Sequence, residues 1–192
     1  MILASKSPRR KEILEKFTSN LKIITKEIEE ISDRTEVIDK ILDISRKKVL
    51  AVAEDFQNEL VVGADTVVVS EGKILGKPKN ELEAMEMLQS LSGKKHRVIT
   101  AYTAMLLAEN IDICNYDITE VYFKELTEDE INWYISTKEP MDKAGAYGIQ
   151  EKGALFVEKI EGDFFSVMGF PIGKFIRDLN KMGISLNNIE SI

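Results

Sequence analysis

The sequence has one cysteine, one histidine and one tryptophan among its 192 residues. A single cysteine, Cys114, cannot form an intramolecular disulfide, which excludes a disulfide scaffold and favours a reducing compartment. With one histidine, a zinc site built from several cysteines and histidines is excluded as well; we expect His96 to be a polar residue at a strand edge. No stretch reaches the ~18 consecutive apolar residues of a membrane helix. Because the chain also begins with apolar residues and no preceding charge, unlike a signal peptide, we expect a cytoplasmic protein without a membrane segment.

The balance of charges is acidic, with 26 Lys and Arg against 33 Asp and Glu and a formal net charge of -7. Proteins that bind nucleic acids usually carry a basic stripe, because affinity comes mostly from neutralised phosphates. Here the basic residues are interleaved with acidic ones, so no nucleic-acid partner is expected. One local basic excess occurs in the segment 6–11, which suits a small anion better than a long polyanion.

Apolar runs rich in β-branched residues alternate with segments of helical periodicity, which predicts a single α/β domain with a mixed sheet and flanking helices. The predicted strands are Met1–Ser5, Leu21–Thr25, Leu60–Val69, Lys73–Leu75, Arg97–Ala108, Ile111–Phe123 and Leu155–Ile160. The predicted helices are Pro8–Phe17, Val37–Phe56, Leu82–Leu91, Thr127–Thr137 and Gly173–Met182.

The first candidate site is the segment Ser5–Arg10, between a predicted strand and a predicted helix. Ser7 is the expected N-cap, and Pro8 is the expected first helical residue. Arg9 and Arg10 occupy the first turn, where acidic side chains would be stabilising, so their placement favours a bound anion. Guanidinium and hydroxyl donors suit phosphate. The alternative is an ordinary N-cap followed by a solvated basic turn.

The second candidate is Asp65, which lies within the apolar run Val61–Val69. A carboxylate in an apolar strand needs a cationic partner, a metal ion or a position at a cleft. Gly63 would let another segment or a ligand approach the backbone closely. The alternative is a strand that ends here, with Asp65 capping a turn.

The third candidate is the segment Asp142–Gln150, in which Gly145 and Gly148 flank Tyr147. This spacing predicts a tight, shaped loop. It matches neither the dinucleotide-binding nor the phosphate-loop glycine pattern, and the sequence has no phosphate-loop motif elsewhere. By itself it is equally compatible with a structural turn.

Together these segments resemble the Maf family of nucleoside triphosphate pyrophosphatases. The matching stretches are Leu3–Arg10, Gly63–Val68, Gly76–Pro78, Met87–His96, Asp142–Gln150 and Ser166–Pro171. They occur in the family's order and extend over nearly the whole chain. The form of Asp142–Gln150 is similar to the branch that acts on dTTP and UTP.

The resemblance implies hydrolysis of dTTP and UTP, with modified pyrimidine nucleotides as further candidates, to the monophosphate and pyrophosphate. It implies a divalent metal cation, Mg²⁺ or Mn²⁺, and suggests a homodimer. It also implies an elongated, two-lobed Maf/ITPase-like fold over residues 1–192, with the nucleotide in a central cleft. An alternative function is a nucleotide-binding regulator of septum formation with little turnover.

The resemblance assigns a role to individual residues. Asp65 would be the proton acceptor. The positions implied to bind the substrate or determine its choice are Ser5, Arg9, Arg10, Lys48, Thr66, Lys77 and Gln150. Glu30 and Asp65 would hold the metal. Glu27 and Glu29 lie close to Glu30 in the sequence, and Lys47 is adjacent to Lys48. Each of these neighbours is an alternative match to the same position of the family.

Gln150 has a chemical rationale for reading a base. A carboxamide presents a donor and an acceptor side by side, which match O4 and N3–H of uracil or thymine. Rotated by half a turn, the same group matches cytosine. Neighbouring groups must therefore hold the carboxamide in one orientation if CTP is to be rejected.

Overall fold

The strand-forming runs assemble into one sheet in the computed structural model, which describes residues 1–189. The strands are β1 (Ile2–Leu3), β2 (Lys22–Ile23), β3 (Val61–Ser70), β4 (Lys73–Leu75), β5 (Lys95–Leu106), β6 (Ile111–Phe123) and β7 (Val157–Glu161). Their order in this seven-stranded sheet is β2-β1-β3-β5-β6-β7, with β4 paired to β3. β1 runs parallel to β2 and β3, whereas β4 and β7 are antiparallel to their partners. The predicted α/β class with a mixed sheet is confirmed.

Helices connect and flank these strands. They are α1 (Pro8–Glu15), α2 (Val37–Ala53), α3 (Glu81–Leu91), α4 (Glu128–Ser136), α5 (Phe164–Met168), α6 (Ile172–Lys181) and α7 (Leu186–Ile189). None of the helices within residues 1–189 is long and apolar enough to cross a membrane.

The sequence patterns missed two short helices and placed the ends of several strands differently; β5, for example, begins at Lys95 and not at Arg97. α5 and α7 span only five and four residues, which is too short for a 3.6-residue period to be recognised. The strand predicted from Leu155 begins instead at Val157, because the residues before it form a 3₁₀ helix, Lys152–Phe156.

The chain divides into two compact units. Among the described residues, unit 1 comprises 1–65, 100–117 and 169–189, and unit 2 comprises 66–99 and 118–168. The strands β3, β5 and β6 contribute residues to both units.

In unit 1, β1, β3 and one face of α2 form an apolar core. Its buried members include Ile2, Ala4, Val49, Val52, Val61 and Met105. Gly63 on β3 permits the close packing of α2, because a Cβ atom at this position would lie 2.7 Å from Val49 Cγ2. The missing side chain thus brings α2, which also carries Lys48, against the strand that carries Asp65.

In unit 2, aromatic side chains pack beside the segment Asp142–Gln150. The Tyr134 ring, on α4, meets Phe156 edge-on with ring centroids 5.0 Å apart. The Tyr134 hydroxyl donates to Glu139 Oε1 at 2.8 Å and accepts from Gly148 N at 3.1 Å. A buried tyrosine thereby satisfies its polar end while anchoring the loop backbone.

The close contact at Gly63 yields a stability prediction. Gly63→Ala should lower the free energy of unfolding by about 1–3 kcal/mol, because the new methyl group overlaps the β-branched side chain of Val49. Thermal or urea unfolding would measure this change. Gly173→Ala is the matched control: its Cβ would meet only Arg177 Nη1, at 3.7 Å. Equal stability of the two variants would contradict the proposed packing.

Candidate active site

The ammonium of Lys48, on α2, joins two carboxylates of unit 1. Lys48 Nζ lies 2.8 Å from Asp65 Oδ1 and 2.9 Å from Glu30 Oε2. The Lys48 and Asp65 side chains are only 14% and 17% exposed, whereas Glu30 is 60% exposed. Of the neighbouring residues considered in the sequence, Glu30 and Lys48 are thus the ones that the structure brings to Asp65. Lys47 faces elsewhere and pairs with Asp43 at 2.8 Å.

Asp65 lies inside β3 and does not cap a turn, since the strand continues to Ser70. The prediction that this carboxylate requires a partner is confirmed by the Lys48 ion pair. Within residues 1–189, Asp65 Oδ2 has no hydrogen-bond partner. One oxygen of the carboxylate is thus held by a lysine and the other can accept a hydrogen bond from a ligand.

The turn between β1 and α1 is organised by Arg10. Its Nη1 donates to Ser5 Oγ at 3.0 Å, and its Nε donates to the carbonyl oxygen of Gly169 at 3.0 Å. Ser5 Oγ also accepts from the backbone N–H of Ser7 at 3.3 Å. Ser7 is the N-cap as predicted, but its side chain makes no capping bond. The first turn of α1 contains no acidic residue, so the positive end of its dipole lacks a side-chain counter-charge.

Arg10 is also coupled electrostatically to the two carboxylates. Burial lowers the pKa of Arg10, Arg9 acts in the same direction, and the carboxylates of Asp65 and Glu30 oppose the change. Unit 1 contains six of the candidate residues, namely Ser5, Arg9, Arg10, Glu30, Lys48 and Asp65. The remaining candidates, Thr66, Lys77 and Gln150, belong to unit 2.

In unit 2, Gly145 joins the Lys77 segment to the loop that carries Gln150. Gly145 adopts a φ of +69°, and a Cβ there would lie 2.8 Å from Val68 Cγ2 on β3. Its N–H donates to the carbonyl oxygen of Gly76 at 3.0 Å. The glycine pattern correctly predicted a shaped loop, which is formed around the short 3₁₀ turns Glu139–Asp142 and Ala144–Ala146.

A buried lysine that the sequence patterns did not single out holds this loop. The Lys143 side chain is 6% exposed. Its Nζ donates to the carbonyl oxygen of Glu139 at 2.8 Å, and it pairs with Asp142 Oδ1 at 2.9 Å and Glu151 Oε2 at 3.0 Å. Lysine is rarely buried, so no local sequence signal distinguishes Lys143 from a solvated lysine.

His96 is not the strand-edge residue that we expected: it is 2% exposed. Its Nε2 is 2.7 Å from the Tyr147 hydroxyl, and its ring packs edge-on against Phe123 and Tyr147. Nδ1 is buried with no hydrogen-bond partner among the described residues. Burial lowers the pKa of His96 to about 4, so the neutral ring packs against Tyr147 of the segment Asp142–Gln150. The expectation failed because alternation along a strand does not reveal what covers each face.

The carboxylates of Asp65 and Glu30 are suitable ligands for a hard divalent cation, but they are too few to complete its coordination shell. Mg²⁺ commonly binds through one or two carboxylates and completes its shell with waters and substrate phosphates. Asp65 and Glu30 both reach the same point, now occupied by Lys48 Nζ. Within residues 1–189, no group of three or more His, Cys, Asp or Glu residues could hold a metal. Protein oxygens of this part of the chain would therefore supply only part of the coordination shell.

Comparison with known proteins settles the family. The family model described as Maf-like protein matches residues 1–182. The chain belongs to the Maf family. The resemblance noted in the sequence is thereby confirmed.

Among the Maf-family relatives, a dTTP/UTP pyrophosphatase of Fusobacterium nucleatum is 54% identical over 192 residues, covering 100% of both chains. A dTTP/UTP pyrophosphatase of Bacillus cereus is 48% identical over 189 residues, covering 98% of each. Of solved structures, that of the Staphylococcus aureus Ham1 protein has a TM-score of 0.46 and 12% identity, covering 64% of this chain and 70% of the other.

Burial of His96 in this Maf-family chain predicts a dependence of stability on pH. Below pH 6.5 His96 becomes protonated in the unfolded chain, whereas in the folded chain its ring stays neutral until about pH 4. The stability that the neutral His96 contributes is thus complete above pH 6.5 and is lost as the pH falls through this window, by about 3 kcal/mol in all.

The measurement compares the free energy of unfolding of the wild type with that of His96→Gln, which retains a partner for Tyr147 but does not titrate. The difference should change between about pH 7.5 and about pH 5, with the wild type losing more stability. A difference that is independent of pH would show that His96 is protonated in the folded protein as easily as in the unfolded one.

Proposed function

We propose that this chain is a nucleoside triphosphate pyrophosphatase that hydrolyses dTTP and UTP, with modified pyrimidine nucleotides as further candidates. The observation that carries the proposal is full-length identity of 54% and 48% to two proteins named dTTP/UTP pyrophosphatase. The paired carboxylates beside Lys48 and the basic start of α1 provide chemistry that suits a triphosphate substrate.

In the proposed reaction, Asp65 accepts a proton from the attacking water at Oδ2, while Oδ1 stays bonded to Lys48. The water oxygen forms a bond to the α-phosphorus, and the bond from that phosphorus to the oxygen bridging to the β-phosphate breaks. Pyrophosphate leaves with the bonding electron pair. Lys48 restrains the carboxylate, so the oxygen that accepts the proton is held ready for the water.

The substrate carries about four negative charges, whereas the protein's net charge is -7, so local cations must hold the phosphates. In the proposal these cations are Arg9, Arg10, Lys48 and Lys77. Ser5 contributes by accepting from Arg10 and thereby orienting its guanidinium. Rigid guanidinium donors suit phosphate oxygens better than mobile ones do.

Glu30 and Asp65 are the residues that would hold a divalent cation, Mg²⁺ or Mn²⁺. When bound, such an ion neutralises phosphate charge and lowers the pKa of a coordinated water. To bind the metal, Glu30 would turn away from Lys48, whereas Asp65 would keep Oδ1 on Lys48 and face the metal and its water with Oδ2. This exchange is consistent with the exposure of the Glu30 side chain, which is 60% exposed.

The remaining parts of the proposal rest on the sequence and on the family. Arg9, Thr66 and Gln150 determine which nucleotide is accepted, and residues 1–192 act as a single catalytic domain. That β3, β5 and β6 contribute to both compact units supports one domain. A cytoplasmic homodimer that binds no nucleic acid is the proposed form.

Replacing the proposed proton acceptor should abolish turnover without unfolding the protein. Asp65→Asn preserves an oxygen for Lys48 but cannot take a proton, and we expect kcat to fall by about 10²–10⁴-fold. Asp112→Asn is the control, because the same substitution there removes only an exposed partner of Arg46. Pyrophosphate release and thermal unfolding would be measured together. Near-normal turnover by Asp65→Asn would eliminate Asp65 as the proton acceptor.

The function itself is tested by pyrophosphate release from a panel of standard and modified nucleoside triphosphates, with Mg²⁺ or Mn²⁺. We expect selective turnover of dTTP and UTP that stops when a chelator removes the metal. Preference for a purine would retain the chemistry and overturn the assigned substrates. Binding of nucleotides without release of pyrophosphate would favour the regulator instead.

A further inference from the structure

The carboxamide of Gln150 lies against a carboxylate that restricts its orientation. Gln150 Nε2 donates to Glu151 Oε1 at 3.3 Å. A carboxylate only accepts hydrogen bonds, so it can face the amide nitrogen but repels the amide oxygen. The two atoms of a glutamine amide are easily interchanged in a structure, and this neighbour supplies the chemical reason for one assignment.

The same carboxylate is fixed by the buried lysine of the loop. While Glu151 Oε1 accepts from Gln150, Glu151 Oε2 pairs with Lys143 Nζ at 3.0 Å. The ammonium also donates hydrogen bonds to the carbonyl of Glu139 and to Asp142, so three oxygen partners surround it. Lys143 therefore has little freedom to swing away and release Glu151.

The aliphatic part of the Lys143 side chain packs against Gly148, close to Gln150. A Cβ atom at Gly148 would lie 2.5 Å from Lys143 Cε and 3.6 Å from Gln150 Oε1. The absence of a side chain at Gly148 thus makes room for the lysine, and the amide oxygen of Gln150 lies on the glycine side. Lysine, carboxylate and carboxamide form one connected chain of contacts within unit 2.

We propose that Glu151, held by Lys143, is a positioning residue that fixes the orientation of the Gln150 carboxamide and thereby selects uracil and thymine over cytosine. This inference rests on the proposed function, in which Gln150 reads the base. One N–H of Gln150 is bound to Glu151, so the amide cannot turn over, and its other N–H and Oε1 keep fixed positions toward the base. In uracil and thymine, O4 accepts from the N–H and N3–H donates to Oε1. Cytosine has a donor amino group and an acceptor N3 at these positions, so both contacts are mismatched.

Two substitutions at Glu151 test the proposal. Glu151→Gln keeps the shape but can face either atom of the neighbouring amide, and Glu151→Ala removes the partner altogether. Because the Glu151 side chain is 43% exposed, neither change should unfold the protein, and thermal unfolding would confirm this. Glu158→Gln on β7 is the control, since it removes one negative charge from an exposed position of the same unit.

The quantity measured is the ratio of kcat/KM for UTP to kcat/KM for CTP. The ratio of kcat/KM for UTP to that for dTTP is measured as an internal reference. In both Glu151 variants the first ratio should fall by about fivefold, the size expected for losing one oriented hydrogen bond to a charged group at a partly exposed site. The UTP to dTTP ratio should not change, because these bases present the same edge to Gln150. The control should retain both wild-type ratios.

Binding of non-hydrolysable α,β-imido analogues of UTP and CTP, measured by calorimetry, gives the same comparison without turnover. If the wild type hydrolyses neither UTP nor dTTP, the proposed function fails, while the ratio of analogue affinities still decides the role of Glu151. A fall of that ratio in both variants supports the proposal. An unchanged ratio, or equal affinity of the wild type for the two analogues, overturns it.

Discussion

The ion pair between Lys48 and Asp65, a carboxylate inside an apolar strand, is the interaction on which the arrangement of unit 1 depends. Asp65 lies among buried valines of β3, where an isolated charge would be strongly unfavourable. Lys48 provides the opposite charge from α2, and α2 can come close enough because Gly63 has no side chain. A requirement of folding, close packing of a helix on a sheet, thus also sets the distance between the proposed proton acceptor and its cation.

A half-buried arginine and a buried lysine organise the two units in a similar way. In unit 1, Arg10 binds the side chain of Ser5 and the carbonyl of Gly169, residues far apart in the sequence. In unit 2, Lys143 binds a carbonyl and two carboxylates of one loop. Removing such a charge from water is unfavourable unless all its donors are satisfied, so each cation imposes one arrangement on its neighbours. Loops that must present side chains to a substrate gain rigidity from this requirement.

Much of the fold followed from local patterns, because alternation and helical periodicity reflect which side chains face a core. The long elements β3, β6 and α2 begin at or within one residue of their predicted positions. Prediction failed where a few residues decide the conformation, as in α5, or where the environment comes from elsewhere in the chain. His96 belongs to the second kind, since Phe123 and Tyr147 bury it.

The sequence by itself determined the α/β class, the family and the residue types of the candidate site, because periodicity and short motifs are properties of neighbouring residues. Only the tertiary structure decided which charges meet. It pairs Lys48 with Asp65 and Glu30 but turns the adjacent Lys47 to Asp43, and it buries Lys143 beside Glu151. Adjacent helical residues point about 100° apart, so a shift of one position changes the partner. Such partners are set by long-range packing.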